Sequence, residues 1–268
     1  MAPGISSMHG RFEIGRVVNR MFEVVGSNLV TFLGLSVLAA IPSLLFTFAF
    51  LGSRNGVFDT QIKQAAILPA GLPVMIGGAL IGFLIYMVFA YLLQAALVHG
   101  TINTLNGRKA SFTDCLSTGV SNALPLTIIA ILALSGMMLG LLLLIVPGVI
   151  LALMWSVVTP VRIAEQTGIL ETFSRSAALT RGYRGSIFGL VVIYLVLALV
   201  MNFIVRPLTG LSFVPGVGLH ISTSYIIVTA LIRVVLHLVA ATGVASIYYE
   251  LRMVKEGISP EQLAAVFA

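Results

Sequence analysis

The sequence predicts an all-α, polytopic membrane bundle of six spans, and three observations support that class. Hydrophobic residues make up 59% of the 268 residues and charged residues only 9%, whereas soluble domains carry about 25% charged residues. Several uncharged runs are long enough to cross a bilayer, since a membrane helix needs about 20 mainly apolar residues. The basic residues are also divided unevenly between alternating loops. A bilayer is therefore the solvent that suits this chain.

Six apolar segments follow one another in a single membrane domain, residues 1–268, with spans at about 29–51, 72–98, 124–145, 147–164, 185–205 and 223–249. The third and fourth spans come from one run, 124–161, which holds no charged residue and suits two short spans better than one. Pro147-Gly148 stands where the turn is expected, because proline opens a helix and glycine permits a sharp bend. A re-entrant element within 124–161 is the alternative.

The positions of the basic residues predict the orientation. Eleven of the fifteen lie in one set of alternating segments, namely 1–28, 99–123, 162–184 and 250–268. Three lie in the opposite loops, and Arg233 lies inside a span. Because cytoplasmic loops are enriched in Lys and Arg, we expect both termini to be cytoplasmic. A single crossing by 124–161 would remove this asymmetry, which favours the hairpin.

Short amphipathic surface helices are predicted before spans one, three and five, so that the chain would consist of three diverged repeats. Each has apolar residues at helical spacing on one face: Ile14, Val17, Val18, Met21 and Val25; Phe112, Cys115, Leu116 and Val120; and Leu170, Phe173 and Ala177. Ser111 and Asp114 resemble a capping box. Ser259 and Pro260 resemble the start of a fourth surface helix. These helices suit the headgroup boundary or the ends of the spans.

Arg233 is the strongest candidate for a functional residue, because it lies eleven residues into an otherwise uncharged run. A charge near the bilayer centre costs at least about 2.5 kcal/mol on insertion scales. His237 follows four residues later and shares the same helix face. The pair indicates a polar interior or a bound anion, with Gln94 and Asn202 as candidate partners. The alternative is an Arg233 side chain that extends to the interface.

A second group of charges is expected at the cytoplasmic face. One interpretation is that these charges pair with one another and hold the surface helices on the bundle. The residues concerned are Arg162, Glu165, Arg175, Glu250 and Arg252. The other is a rim that binds anionic lipid phosphates through arginine, with three candidate residues, Arg175, Arg181 and Arg184.

Composition and motifs argue against several other classes. The sequence has no GxSxG, HExxH, P-loop or dinucleotide-binding motif, so we expect no catalytic residue and no cofactor. The histidines and acidic residues are too scattered to predict a metal site. Cys115 is the single cysteine. Nucleic-acid binding is not expected, because no basic cluster alternates with aromatic residues. The oligomeric state is left open.

Two stretches carry a family resemblance. They are Ile145-Val-Pro-Gly-Val-Ile through Trp155, Thr159-Pro160 and Glu165 to Thr172-Phe-Ser-Arg-Ser-Ala-Ala-Leu-Thr-Arg-Gly, and Tyr248-Tyr-Glu-Leu-Arg-Met-Val-Lys-Glu-Gly. Together they resemble the membrane domain fused to some bacterial glycerophosphodiester phosphodiesterases, which also occurs alone in inner-membrane proteins. The resemblance covers residues 100–257 well and the first hundred only by pattern.

In that family the phosphodiesterase chemistry belongs to a separate soluble domain, for which this chain has no room. The resemblance therefore implies a membrane module without the enzyme, in the inner membrane. We expect a non-catalytic protein that organises or binds membrane lipid or a protein partner. The alternative is a transporter or channel for a small anion or lipid headgroup that uses Arg233 and His237.

Overall fold

The structure is a computed structural model that describes residues 12–50, 71–208, 212–214, 218–220 and 223–257. Within those ranges the helices are α1 Ile14–Ser27, α2 Leu29–Phe50, α3 Gly71–Leu105, α4 Phe112–Leu143, α5 Ile145–Met154, α6 Val158–Glu165, α7 Ile169–Thr180, α8 Arg184–Leu208 and α9 Thr223–Glu256. Two three-residue strands, β1 Ser212–Val214 and β2 Gly218–His220, form an antiparallel pair between α8 and α9. The helical class is confirmed, and the small β-hairpin was not predicted.

Five described segments are long and apolar enough to cross a membrane: Leu80–Leu105, Phe112–Leu143, Ile145–Glu165, Arg184–Val205 and Ile227–Glu256. A sixth is obtained if α1 and the first part of α2, which meet at an angle of 96°, are taken as one bent span. Since α2 contains no charged residue, its own composition also suits the bilayer. The prediction of a polytopic helical membrane protein is confirmed at this level.

Several helices are longer than their predicted spans. The helix of the second span ends at Leu105 instead of 98, and that of the sixth at Glu256 instead of 249. The surface helix predicted before span three is not separate, because α4 is continuous from Phe112 with Pro125 inside it. Ser111 precedes α4 but makes no side-chain capping hydrogen bond, so that capping box was wrong. Extending an existing helix costs less than nucleating another, which favours one long helix.

The turn between the third and fourth spans lies at Leu144, three residues before the predicted Pro147-Gly148. Leu144 has extended dihedral angles, φ −164° and ψ 148°, and α5 begins at the next residue. Gly148 instead packs against α4, where an added Cβ would lie 2.5 Å from Leu141 Cγ. A Cβ on Gly140 would lie 3.0 Å from Gly148 Cα. The two glycines therefore allow α5 to fold back closely on α4.

The fourth span is interrupted between α5 and α6, and α7 compensates for the interruption. Backbone carbonyls at a helix end need partners, above all where water is excluded. Ser176 Oγ of α7 donates to the Met154 carbonyl at 2.8 Å, and Thr180 Oγ1 does so at 3.4 Å. The hydroxyl face of α7 is therefore buried against the break.

A helix, α7, is present where a surface helix was predicted before span five, but its predicted apolar face is only partly correct. Phe173 packs edge-on against Trp155, with 5.1 Å between ring centroids. Leu170, however, is 78% exposed, and the buried residues are instead Thr172, Ser176, Leu179 and Thr180. The need to satisfy the Met154 carbonyl explains why a polar face turns inward.

The amphipathic helix predicted before span one is present as α1. Val17 and Val24 are its buried residues, and Val17 joins an apolar cluster with Ile187 and Leu251. A neighbouring cluster around Phe32, Leu97 and Ile129 joins α2, α3 and α4. The candidate fourth surface helix at Ser259-Pro260 lies outside the described residues.

Candidate functional site: an intramembrane arginine cavity and a charged end

Arg233 lines a cavity of about 280 Å³ that is partly open to its surroundings. His237 and Leu236 come from the same helix, α9, while Tyr86 of α3 and Tyr194 of α8 complete the lining. The predicted pairing of Arg233 with His237 on one helix face is present. Three helices thus place two phenol groups, an imidazole and a guanidinium around one space.

The other two predicted partners do not line this cavity. Gln94 is half-buried on α3, eight residues beyond Tyr86. Asn202 is exposed on α8 and donates within its own helix to the Ala198 carbonyl at 2.7 Å. Sequence analysis missed Tyr86 and Tyr194, since tyrosines in apolar spans look like any other aromatic residue until the helices are packed together.

Arg233 has no ion pair with a carboxylate in the part of the chain that the structure describes. Along α9 it precedes Glu250 by seventeen residues, which corresponds to about 25 Å at 1.5 Å per residue. Most of a hydrocarbon core of about 30 Å separates the two positions. The cavity therefore holds a cation, without an acidic partner from those residues, in the half of the span that lies away from Glu250. The Arg233 side chain is exposed in the isolated chain.

A group of ion pairs joins α1, α6, α7 and α9 at the end of the bundle opposite the cavity. We call this group the charged end and define it by Arg16, Arg20, Glu165, Arg175, Glu250 and Glu256. The side chain of Glu250 is 0% exposed and accepts from Arg20 Nη1 at 2.5 Å. Arg16 Nε lies 3.1 Å from the other Glu250 oxygen. Arg20 also stacks over the ring of Tyr249, 5.0 Å from its centroid. These contacts hold α1 on α9. The pairing interpretation included Glu250 but not the two arginines of α1.

The second half of the charged end joins α7 to α6 and α9 through Arg175. Arg175 Nε donates to Glu165 Oε2 at 2.7 Å, and its Nη2 donates to Glu256. The hydrogen bond to Glu165 is the largest cause of a raised Arg175 pKa, against the opposing effect of burial. Tyr248 extends the network by donating to Glu165 at 2.9 Å. Arg175 is thus held by two carboxylates from different helices.

The other two predicted lipid-contacting arginines have a different environment. Arg181 is exposed where α7 ends, and Arg184 begins α8 with a buried Nε that makes no hydrogen bond. Neither forms an ion pair within the described residues. Lys255, which sequence analysis missed, donates to the Ala178 carbonyl and is repelled by the positive charges of both arginines. These three cations form a basic patch beside the charged end.

No group of three His, Cys, Asp or Glu side chains is placed to hold a metal ion within the described ranges. Cys115 is buried and free. Comparison of the chain with protein-family models finds no match, and comparisons with curated proteins and with solved structures find none either.

Proposed function

We propose that this protein is a non-catalytic membrane protein that binds the phosphate-bearing headgroup of a lipid in the Arg233 cavity. One observation carries the proposal: Arg233 lines a polar cavity inside a span without a carboxylate partner among the described residues. Charged side chains within a membrane span are costly, so such residues mark functional sites or have a compensating partner. A bound anion would supply that partner.

Phosphate suits the chemistry of the cavity lining. A guanidinium offers two parallel N–H donors to phosphate oxygens. The hydroxyl of Tyr194 can donate a further hydrogen bond, and the imidazole of His237 can donate one more. At about 280 Å³ the cavity lies just below the usual range for small-molecule sites, about 300–1,000 Å³. It therefore suits a headgroup whose acyl chains stay in the bilayer.

We infer that the protein crosses the inner membrane with both termini cytoplasmic, in six membrane segments. Arg20 of α1 binds Glu250 of α9, so both ends of the described chain lie on one side of the bundle. Glu165 of α6 and Arg175 of α7 lie on that side as well. The basic segments of the sequence are thus gathered at one end, as the positive-inside rule requires for a cytoplasmic face.

The test measures the phospholipid retained on the purified protein. The protein would be extracted in a mild detergent, and the phosphorus per chain would be determined together with native mass spectra. Wild type is expected to retain a phospholipid that Arg233→Gln has lost. Lys109→Gln, which removes one exposed positive charge from the loop between α3 and α4, is the matched control and should retain the lipid. Equal retention by all three proteins would remove the proposal.

Transport of the headgroup is a second candidate function, and the distance of the cavity from the charged end favours it. A protein that only recruits lipid at its cytoplasmic surface does not need a cation about 25 Å away along α9. The test is the movement of a fluorescent phospholipid between leaflets of proteoliposomes. Slower movement with Arg233→Gln, but not with Lys109→Gln, is expected for a transporter. Lipid retention without movement would leave binding as the function.

A further inference from the structure

The turn between α4 and α5 exposes an unbroken apolar surface in the isolated chain. The exposed fractions are 84% for Leu142, 78% for Leu143, 69% for Leu144, 73% for Ile145 and 67% for Val146. Exposed turns in water are normally built from Gly, Pro, Asn, Asp and Ser. This turn, which we call the hairpin tip and define as residues 141–146, contains Leu, Ile and Val alone.

The polar residues nearest to the hairpin tip are far along both arms. Between Ser135 and Ser156 there is no hydroxyl, amide or ionisable side chain. An interface with another protein would be expected to carry Trp, Tyr or Arg anchors. The hairpin tip has none, and its chemistry matches lipid acyl chains more closely than a protein surface or water.

The backbone of the hairpin tip is suited to an environment without water. Only Leu144 lies between the two helices. Its N–H donates to the Gly140 carbonyl at 3.1 Å, and its own carbonyl accepts from Gly148 N–H at 3.5 Å. Irregular backbone is excluded from hydrocarbon because unsatisfied polar groups there cost several kcal/mol each. A one-residue turn, made possible by the close approach of Gly140 and Gly148, minimises that cost.

The second arm of the hairpin, formed by α5 and α6, is also short. Arg162 donates to the Thr167 carbonyl near the charged end and marks the cytoplasmic border of α6. Leu144 precedes it by eighteen residues, a rise of about 27 Å for a straight helix. The hydrocarbon core is about 30 Å thick. The arm therefore ends at or just inside the far edge of the core.

We propose that the hairpin tip stays within the hydrocarbon of the leaflet opposite the charged end, in contact with lipid acyl chains. The α4 and α5–α6 arms then form a hairpin that enters from the cytoplasmic side and returns without exposing a loop to water. This inference does not depend on the Arg233 cavity or its ligand, and it rests on the proposed function only in calling the side of the charged end cytoplasmic.

Spin-label accessibility tests the proposal. Replacing Cys115 by Ala gives a cysteine-free chain, into which Leu142→Cys or Ile145→Cys introduces one labelling site. Leu199→Cys, at a 69% exposed position in the middle of the apolar helix α8, is the control for contact with lipid. Lys109→Cys, in the loop between α3 and α4, is the aqueous control. Each protein would be labelled with a nitroxide in detergent and reconstituted into phosphatidylcholine–phosphatidylglycerol vesicles.

Oxygen concentrates in hydrocarbon, whereas a water-soluble nickel chelate does not enter it. We expect the labels at 142 and 145 to be relaxed by oxygen as strongly as the label at 199. The nickel chelate should relax the label at 109 but not the labels at 142 and 145. Relaxation by nickel at 142 and 145 would place the tip in water and overturn the proposal. Weak relaxation by both reagents would show a covering protein surface and would overturn it as well.

Circular dichroism and size-exclusion profiles matching wild type would show that each cysteine variant is folded. Because the tip side chains are exposed and outside both apolar clusters, their replacement should leave the fold intact.

Discussion

Substituting Glu250 by Gln should release α1 from the bundle. Glu250 has a fully buried side chain, and its carboxylate binds Arg20 at 2.5 Å and Arg16 at 3.1 Å. Glutamine keeps the shape of the side chain and one acceptor oxygen but removes the charge. Two arginines of α1 would then face a neutral group, and one of them, Arg20, is largely buried at 15% exposure.

The magnitude follows from the burial of each partner. Breaking a buried ion pair by removing one member costs about 3–5 kcal/mol. Arg16 is 38% exposed and also lies 3.4 Å from Glu13, so its contribution should be below about 1 kcal/mol. We therefore expect Glu250→Gln to lower the free energy that holds α1 on the bundle by about 3 kcal/mol, mostly through Arg20. At 1.4 kcal/mol per factor of ten, that is about a 100-fold increase in the detached population of α1.

Hydrogen exchange of the α1 amides in detergent or nanodiscs measures this population directly, since local opening limits exchange in a docked helix. Exchange should become about 100-fold faster in α1, while amides in the middle of α3 should keep their wild-type rates. Replacing Arg20 by Gln in the Glu250→Gln background should restore part of the protection, because it removes the unpaired cation.

Glu13→Gln is the matched control, since Glu13 contacts the same Arg16 but is 65% exposed. Glu13→Gln should change the free energy of α1 opening by no more than about 0.5 kcal/mol, as for other surface substitutions. Unchanged α1 exchange in Glu250→Gln, or an equal effect of Glu13→Gln, would refute the claim that burial gives this ion pair its strength.

Two further predictions concern packing inside the bundle, and both are measured by thermal unfolding followed by circular dichroism. Gly148→Ala should destabilise the protein by about 1–3 kcal/mol, because the new Cβ would lie 2.5–2.8 Å from Leu141 atoms. Gly78→Ala is the control and should not destabilise the protein, since its new Cβ would have nothing within 4 Å. Equal stability changes in the two variants would contradict the close packing assigned to Gly148. Ser176→Ala should cost about 1–2 kcal/mol by leaving the Met154 carbonyl with only the 3.4 Å contact from Thr180. Ser174→Ala, on the exposed face of the same helix, should change stability by less than about 0.5 kcal/mol, and a similar loss in both serine variants would contradict the role assigned to Ser176.

The membrane class and the approximate helix positions could be predicted from sequence because they depend on local composition. A run such as 185–205 is apolar along its whole length, and burying it in lipid requires no particular neighbour. The helix of residues 169–180 was predicted for a similar reason, since Glu171 in its first turn and the helical spacing of its apolar residues are local signals. Its inward face was predicted less well, because a break in a different helix decides which side is buried.

Boundaries and partners were decided by tertiary packing. The turn lies at Leu144 and not at the predicted Pro147, because glycines on both arms permit a close approach of the helices. Local sequence rules do not predict such an approach. Arg20 and Glu250 are 230 residues apart, so their pairing depends on how α1 lies across the bundle. Arg233 and His237, one turn apart on α9, were placed on one helix face from helical spacing alone, and both line the same cavity. Tyr86 and Tyr194 line the same cavity only because α3 and α8 pack beside α9. Local sequence patterns do not indicate which separate helices will be in contact.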